Sequence, residues 1–399
     1  MSNSGIVLEA RAQRLFFAQG IFAERSLLPS ADPNHQLLAT DIDVLASEYS
    51  SGFHLTRRNI ECKSGKNVAI LDRVLWLKGV KEMLNSDASY LIINNFNEGA
   101  SDFARNLGID IMTTKQLESW EKSLKIPNHL WPNRSNYLKL DNLKRYWLDE
   151  GKQGTATDLA KLNRRIIQFI EIDSWRVFGY SLQNRLFRLF LDLSDISRTF
   201  KDTSIPDSMK YCSSALLVRF CQYLLAACHD ISRVPVSDLQ SYLNNRLTFG
   251  DQDPQRARGL ISSTVQWVSQ NLKKQGIGLP LSLEEERLLQ PPAYSDGYIG
   301  LVEKLITSPV ESRFLPIAME TEQFSSPELI ERFPRIRTAW QAGRELTSLV
   351  KGFLIASLGI NSEILQALPL DKIPDMKRMN KIDKPQENSQ QTAMKLDKQ

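Results

Sequence analysis

The 399-residue sequence predicts an α/β domain, with a mixed sheet flanked by helices, followed by a mostly α-helical domain. Two observations lead to this fold class. Short apolar runs alternate with helical patterns in the first third of the chain, and later segments carry apolar residues mainly at spacings of three and four. We therefore divide the chain into a mixed domain at 1–125, a helical domain at 126–370 and a polar tail at 371–399, which its composition predicts to be disordered.

The elements of the first domain follow from hydrophobic spacing and turn residues. Apolar residues at helical spacing predict a first helix over 4–20, which ends at Gly20. The sequence Ser50-Ser51-Gly52 predicts a turn that joins two strands as an antiparallel hairpin. The predicted strands lie at 21–28, 37–49, 53–63, 90–96 and 109–112, and the further helices at 69–84, 100–107 and 114–124.

The second domain is predicted to be mostly helical, with little strand signal. It begins after a boundary segment with Pro127 and Pro132, and it shows no repeat of fixed period. Segment 213–231 is the only membrane candidate, but polar residues such as Arg219 interrupt it, which favours a buried helix. The predicted helices lie at 142–149, 156–172, 175–199, 207–231, 237–247, 255–274, 327–332 and 339–358.

Composition limits the classes of protein to consider. A formal net charge of +4 permits a nucleic-acid partner without requiring one. The four cysteines show no C-x-x-C spacing, so neither a zinc ribbon nor an iron-sulfur cluster is indicated, and buried thiols in a reducing compartment are expected. The first residues do not form a secretory signal, and we expect a cytoplasmic protein that does not contact a membrane.

The strongest chemical signal lies on the second and third predicted strands. Because side chains alternate along a strand, Glu61 and Lys63 point to one face while Cys62 points to the other. Seventeen residues separate Asp43 from Glu61, and the hairpin would bring these two acids together. Asp41 lies on the same face as Asp43 and is the alternative acid, but the apolar run directly after Asp43 favours Asp43.

These residue types suit hydrolysis of a phosphodiester with a bound divalent cation. Magnesium prefers carboxylate and carbonyl oxygens, which Asp43, Glu61 and the main chain of Cys62 would supply, and Mn²⁺ would substitute for it. Lys63 would orient the attacking water or neutralise charge in the transition state.

The pattern Asp43-x(17)-Glu61-x-Lys63 resembles the core motif of the PD-(D/E)XK nuclease superfamily, in particular its Mrr-type restriction endonuclease and archaeal Holliday-junction resolvase branches. The order of predicted elements also resembles the family order, over the first third of the chain only. Ile42 stands where the family often has proline. The resemblance implies a restriction-endonuclease-like fold, a supporting metal-site role for Glu9, and a DNA endonuclease of restriction or phage defence.

Other assignments stay open on the sequence alone. Lys66 and Arg73 are candidates to contact nucleic acid, but an isolated loop lysine such as Lys66 is more often merely solvated, and Arg73 is equally an ion-pair partner of Asp72 or Glu82. Two alternative functions stay open. One is a non-catalytic subunit with a nuclease-like fold that binds nucleic acid or assembles a complex, and the other is a nuclease that acts on RNA or junction DNA.

The helical domain would select the target, bind a protein partner or form a homodimer. Basic and aromatic residues are interleaved over 161–188, where a packed helical core is favoured over a nucleic-acid surface.

Overall fold

The computed structural model describes residues 3–29, 38–65, 68–126, 131, 157–173, 179–200, 204–276 and 288–372. Its N-terminal part is a five-stranded mixed sheet in the order β1-β2-β3-β4-β5. The first three strands are antiparallel, and β3, β4 and β5 run parallel. The strands are β1 (Phe22–Leu27), β2 (Ile42–Tyr49), β3 (Leu55–Lys63), β4 (Ala88–Ile93) and β5 (Asp110–Thr113).

Helices flank this sheet in the predicted order. They are α1 (Asn3–Ala18), α2 (Ile70–Leu84), α3 (Glu98–Asn106) and α4 (Thr114–Ser123). Local sequence explains their ends: Asn97 caps α3 by accepting from the N–H of Ala100, and Thr113 with Gln116 forms a capping box at α4. The parallel crossovers from β3 to β5 run through α2 and α3, as parallel strands require.

The later part of the described chain is helical. Its longest helices are Asp207–Ile231 (α7), which is buried along nearly its whole length, and Pro334–Leu358 (α14), which begins at a proline in its first turn. A π-helical turn, Phe169–Asp173, follows helix Thr157–Gln168 (α5). The helices are α5 (Thr157–Gln168), α6 (Tyr180–Ser197), α7 (Asp207–Ile231), α8 (Leu239–Phe249), α9 (Pro254–Lys274), α10 (Ser295–Thr307), α11 (Pro309–Ser312), α12 (Leu315–Phe324), α13 (Pro327–Ile330) and α14 (Pro334–Leu358).

One hydrophobic core joins the sheet to the helices. The same buried cluster contains Phe17 of α1, Val44 of β2 and Phe187 and Phe220 of the later helices. The proposed domain boundary at 126 therefore does not divide the core into two, because α7 packs directly against the sheet. Burial of apolar surface on this scale is the main stabilising contribution to such a fold.

A buried ion pair reinforces the junction between sheet and helices. The guanidinium of Arg219 on α7 donates to both carboxylate oxygens of Glu24 on β1, at 2.6 and 2.7 Å. Tyr49 at the end of β2 adds a hydrogen bond from its hydroxyl to the carbonyl of Gln222, at 3.3 Å. Both contacts link residues far apart in the sequence, which fixes α7 across one edge of the sheet.

A second buried ion cluster fixes α1 against α4. Glu121 accepts from Arg11 at 2.6 Å and from Arg14 at 2.7 Å, and the side chains of Arg14 and Glu121 are each 2% exposed. This contact matters for the site below, because α1 also carries Glu9.

The structure confirms most predicted elements and corrects others. The antiparallel hairpin of β2 and β3 is confirmed, and the helix predicted over 207–231 has the predicted bounds. The sequence missed α10, α11 and α12, and α14 begins five residues before the predicted start at 339. The predicted helix 142–149 and residues 373–399 of the tail predicted to be disordered lie outside the described residues.

Among the described residues, only helix α7 is long and apolar enough to be considered as a membrane span. It is packed inside the core, with 94% of its most apolar window buried, as predicted for this segment. All four cysteines are buried thiols, as the sequence also predicted. The cytoplasmic location remains a prediction.

Candidate active site

Two adjacent strands, β2 and β3, bring the predicted residues Asp43, Glu61 and Lys63 together. Val44 pairs with Ile60 in the β2–β3 register, so Asp43 and Glu61 lie opposite each other one position further along. Arg25 pairs with Val44 on the other side, which places Ser26 of β1 beside Asp43. The alternation predicted from sequence is present, because Ile60 and Cys62 enter the hydrophobic core while Glu61 and Lys63 face away from it.

The ammonium of Lys63 lies between the two acids. Its Nζ is 2.6 Å from Oε1 of Glu61 and 3.3 Å from Oδ2 of Asp43. The same Oδ2 of Asp43 accepts a 2.7 Å hydrogen bond from the main-chain N–H of Cys62. Asp43, and not Asp41, therefore makes the contacts that define the site.

Glu9 reaches the same cluster from α1. Its Oε2 accepts a 3.4 Å hydrogen bond from the hydroxyl of Ser26, and its side chain is buried. Ser26 has a positive φ of 56°, a conformation that residues other than glycine adopt at an energetic cost, and it directs the hydroxyl toward Glu9. Neither Ser26 nor its contact with Glu9 was predicted from the sequence.

Burial and mutual repulsion raise the pKa values of the acids. Burial and the charge of Asp43 raise the pKa of Glu9 to about 7, and the same two causes raise the pKa of Glu61 to about 8. The pKa of Asp43 is also raised, mainly by burial, although Lys63 opposes the shift. Three acids crowded at one point and removed from water carry charge at a cost, which a cation relieves.

Lys63 itself is held in its charged form. Burial alone would lower the pKa of Lys63, but Asp43 and Glu61 outweigh this effect and raise the pKa above its ordinary value. The side chain is 27% exposed, so the ammonium lies at the mouth of the cluster and not in the core. It is thus the counter-ion of the acids in this structure.

Arg73 lies beside the same acids. Its nearest carboxylate is Glu61, at 3.8 Å from Nη1 to Oε1, and its side chain is 43% exposed. The acid beside Arg73 is thus Glu61 and not Asp72 or Glu82, the partners predicted for the alternative ion pair, and Glu82 pairs with Lys78 at 2.7 Å. Lys66, the other candidate nucleic-acid contact, lies outside the described residues.

The carboxylates of Glu9, Asp43 and Glu61 are the type of ligand that a hard cation prefers. Cations near them are Lys63, Arg73 beside Glu61, and Arg25, whose charge acts to lower the pKa of Glu9. In the part of the chain that the structure describes, however, no three His, Cys, Asp or Glu side chains lie close enough to hold a metal ion. Cys62 contributes its N–H to Asp43, and its thiol lies in the core.

The interleaved basic and aromatic run of the helical part forms a packed core where it is described, as favoured from the sequence. Phe169 and Tyr180 are buried, and the guanidinium of Arg185 lies over the ring of Phe169 at 5.3 Å. Arg165 pairs with Asp192 at 3.3 Å on the surface. Residues 174–178, which include further members of this run, lie outside the described residues.

Comparisons of the chain with family models, with curated proteins and with solved structures found no match. The case for function therefore rests on the geometry of the acid cluster, which we define as Glu9, Asp43, Glu61 and Lys63.

Proposed function

We propose that the protein is a metal-dependent nuclease that hydrolyses phosphodiester bonds, with the acid cluster as its active site. The observation that carries the proposal is the ammonium of Lys63 held within 3.3 Å of both Asp43 and Glu61 on neighbouring strands. The resemblance of Asp43-x(17)-Glu61-x-Lys63 to the PD-(D/E)XK core motif supports the proposal, and so does the mixed sheet that carries these three residues.

Each residue has a separate task in this proposal. Asp43 and Glu61 would hold Mg²⁺ or Mn²⁺, with the main-chain carbonyl of Cys62 as a third oxygen ligand. When bound there, the cation would acidify a water molecule and offset negative charge on the phosphate. Lys63 would then leave its position as counter-ion of the acids and hold the attacking water or the reacting phosphate oxygen.

Glu9 supports the cluster from outside the sheet. Its carboxyl is held by the hydroxyl of Ser26 and responds to the charge of Asp43, so it would accept a proton from water or complete the coordination. A raised pKa of about 7 means that Glu9 exchanges its proton near neutral pH.

The substrate we favour is DNA, which makes the protein a Mg²⁺-dependent endodeoxyribonuclease. The half-exposed guanidinium of Arg73 beside Glu61 is well placed to contact a backbone phosphate. A role in restriction or phage defence follows from the Mrr-type resemblance alone. The helical part would select the target or bind a partner.

Nicking of supercoiled plasmid tests the proposal. We expect cutting with Mg²⁺ or Mn²⁺ and none with chelator, and competition by linear duplex, four-way junctions and RNA assigns the substrate class. No cutting of any of these substrates with either metal would overturn the proposed activity.

A second candidate is a non-catalytic nuclease-like subunit that binds nucleic acid or assembles a complex. Two observations favour it: within the described chain no group of three metal-binding side chains is assembled, and Lys63 already neutralises part of the acid charge. Binding of DNA in the presence of chelator, without cutting when Mg²⁺ is added, would support this candidate instead.

A further inference from the structure

A large cavity lies where the helical part meets the sheet, away from the acid cluster. Its volume is about 630 Å³, within the usual range for small-molecule sites. The walls come from β1, β2 and β3, from the β2–β3 turn, and from helices α6, α7 and α8. Residues distant in the chain form its walls, so no local sequence pattern indicates it.

The cavity and the acid cluster occupy the same face of the sheet but are separate. Ser47 and Arg57 form a cross-strand pair at the cavity, four residues along each strand from Asp43 and Glu61. This separation corresponds to about 13 Å along a strand. The pair Leu45 and Asn59 lies between the two sites, with exposures of 4% and 1%, so a buried layer divides them.

The carboxylates of the cavity are already engaged by protein donors. Glu24 is held by Arg219 at 2.6 Å. Asp230 accepts from the hydroxyls of Tyr180 and Tyr242, at 3.2 and 2.7 Å. Arg219 therefore offsets the charge of Glu24, and the two hydroxyl groups occupy the carboxylate of Asp230 without cancelling its charge.

The third acid is engaged in the same way. Asp251 accepts hydrogen bonds from the main-chain N–H groups of Tyr180 and Ser181 at the start of α6, at 2.8 and 3.1 Å. Four arginines line the cavity against these three acids. Of the four, Arg233 is exposed and Arg246 donates from Nε to the hydroxyl of Tyr242 at 3.1 Å.

Aromatic rings and a buried acceptor complete the walls. The rings of His54 and His229 meet edge to face, 4.8 Å between centroids, across the gap from the β2–β3 turn to α7. Tyr49 and Tyr223 line the same space. Gln222 is 6% exposed, and its Oε1 has no hydrogen-bond partner among the described residues, so an acceptor is available to a ligand donor.

We propose that this cavity binds a small phosphorylated nucleoside, with its phosphates held by the arginines and its base placed among the rings. Guanidinium groups recognise phosphate oxygens through paired hydrogen bonds, and flat rings accept a base by stacking. A bare phosphate ion would leave most of a 630 Å³ cavity unfilled. The site would respond to nucleotide independently of whether the acid cluster cuts DNA.

The electrostatics of the walls agree with an anionic ligand. Burial, and to a lesser extent the charge of Arg219, lower the pKa of Arg57, although nearby acids act in the opposite direction. A bound phosphate would reduce this cost by supplying opposite charge inside the cavity.

Calorimetric titration of the full chain in EDTA tests the proposal, with ATP, ADP, AMP, adenosine and inorganic phosphate as separate probes. We expect saturable binding of at least one nucleoside phosphate, and weaker binding of both adenosine and phosphate. The double variant Arg233→Gln/Arg246→Gln should weaken that binding roughly tenfold or more, since each hydrogen bond to a charged group contributes to affinity.

The matched control is Arg332→Gln/Arg335→Gln, which removes the same charge at exposed positions outside the cavity. It should bind the nucleotide within about twofold of the wild-type protein. Binding that survives in the cavity variant, or that is lost in Lys63→Ala, would place the ligand elsewhere and overturn the proposal. So would binding of inorganic phosphate as tight as binding of every nucleotide, or no saturable binding at all.

Discussion

The ammonium of Lys63 lies 2.6 Å from Oε1 of Glu61, two residues earlier on the same strand. Alternation along the strand places both side chains on one face, and burial of the acid makes the contact stronger than it would be in water. The acid-x-lysine pattern is therefore more than a sequence motif, because it places an ammonium within hydrogen-bonding distance of a buried acid.

Replacing this lysine should remove activity but not the fold. Lys63→Met keeps the aliphatic chain and loses the ammonium, and we expect plasmid nicking to fall by roughly 100-fold or more, as for other transition-state stabilising groups. Circular dichroism should show an unchanged helix and strand content. Lys78→Met is the matched control, because Lys78 makes only a surface pair with Glu82. Equal nicking by the two variants would exclude Lys63 from the chemistry.

The metal-site role of Asp43 is testable without measuring activity. Asp43→Asn keeps an oxygen that accepts from the N–H of Cys62 and loses the negative charge. We expect Mg²⁺ or Mn²⁺ to raise the melting temperature of the wild-type protein by roughly 1–3 °C and to have no effect on the variant. Asp41→Asn makes the same change two residues earlier and should keep the metal effect. The reverse result would make Asp41 the ligand.

The nine elements of the sheet and its flanking helices were largely predictable from sequence. Apolar runs bounded by turn signals such as Ser50-Ser51-Gly52 define the strands, and the short spacing between Asp43 and Glu61 restricts the register of the hairpin. The convergence of Asp43, Glu61 and Lys63 therefore follows from local pattern. The position of Glu9 beside these residues was predicted only from the family resemblance, because it depends on how α1 packs across the sheet.

The helices and the ion pair that could not be predicted from the sequence depend on distant contacts or have weak local patterns. Helix α10 contains Gly297 and Gly300, which reduce helix propensity. Helix α12 is buried on nearly all sides and so lacks the alternation of polar and apolar faces that marks a surface helix. The ion pair of Glu24 with Arg219 joins residues 195 apart, and no spacing rule reveals such a contact.

Stability should depend on pH through Glu61. Burial and Asp43 raise its pKa from 4.5 to about 8 in the folded protein, so the folded state binds this proton more tightly than the unfolded state. The resulting stabilisation is fully present below about pH 4.5 and is lost as the pH rises to about 8. The free energy of unfolding of the wild-type protein, measured relative to that of Glu61→Gln, should fall by on the order of 2–4 kcal/mol between about pH 4.5 and pH 8.

Urea unfolding of both proteins at pH 5, 6, 7 and 8 measures this difference. The glutamine variant is its own control for other titrating groups, such as Glu9, because these contribute to both proteins. A wild-type protein that gains stability over Glu61→Gln as the pH rises would show that Lys63 keeps Glu61 ionised in the folded state.

The junction between sheet and helices should depend on the pair of Glu24 and Arg219. Their side chains are 9% and 5% exposed, so removing one partner leaves the other charge buried. We expect Arg219→Met to lower the free energy of unfolding by about 3–5 kcal/mol, and Glu24→Leu/Arg219→Met to recover most of that loss. Urea unfolding measures both variants.

The control for this pair is a surface ion pair on the same helical part. Arg198 lies 3.0 Å from Asp195 with both side chains well exposed, and Arg198→Met should change stability by less than about 1 kcal/mol. If Arg219→Met lowered the free energy of unfolding as little as Arg198→Met does, water would have to reach Glu24 at the junction. The ion pair would then not fix α7 to β1. If the double variant were as unstable as the single one, the loss would come from packing around Arg219 and not from the loss of its charge beside Glu24.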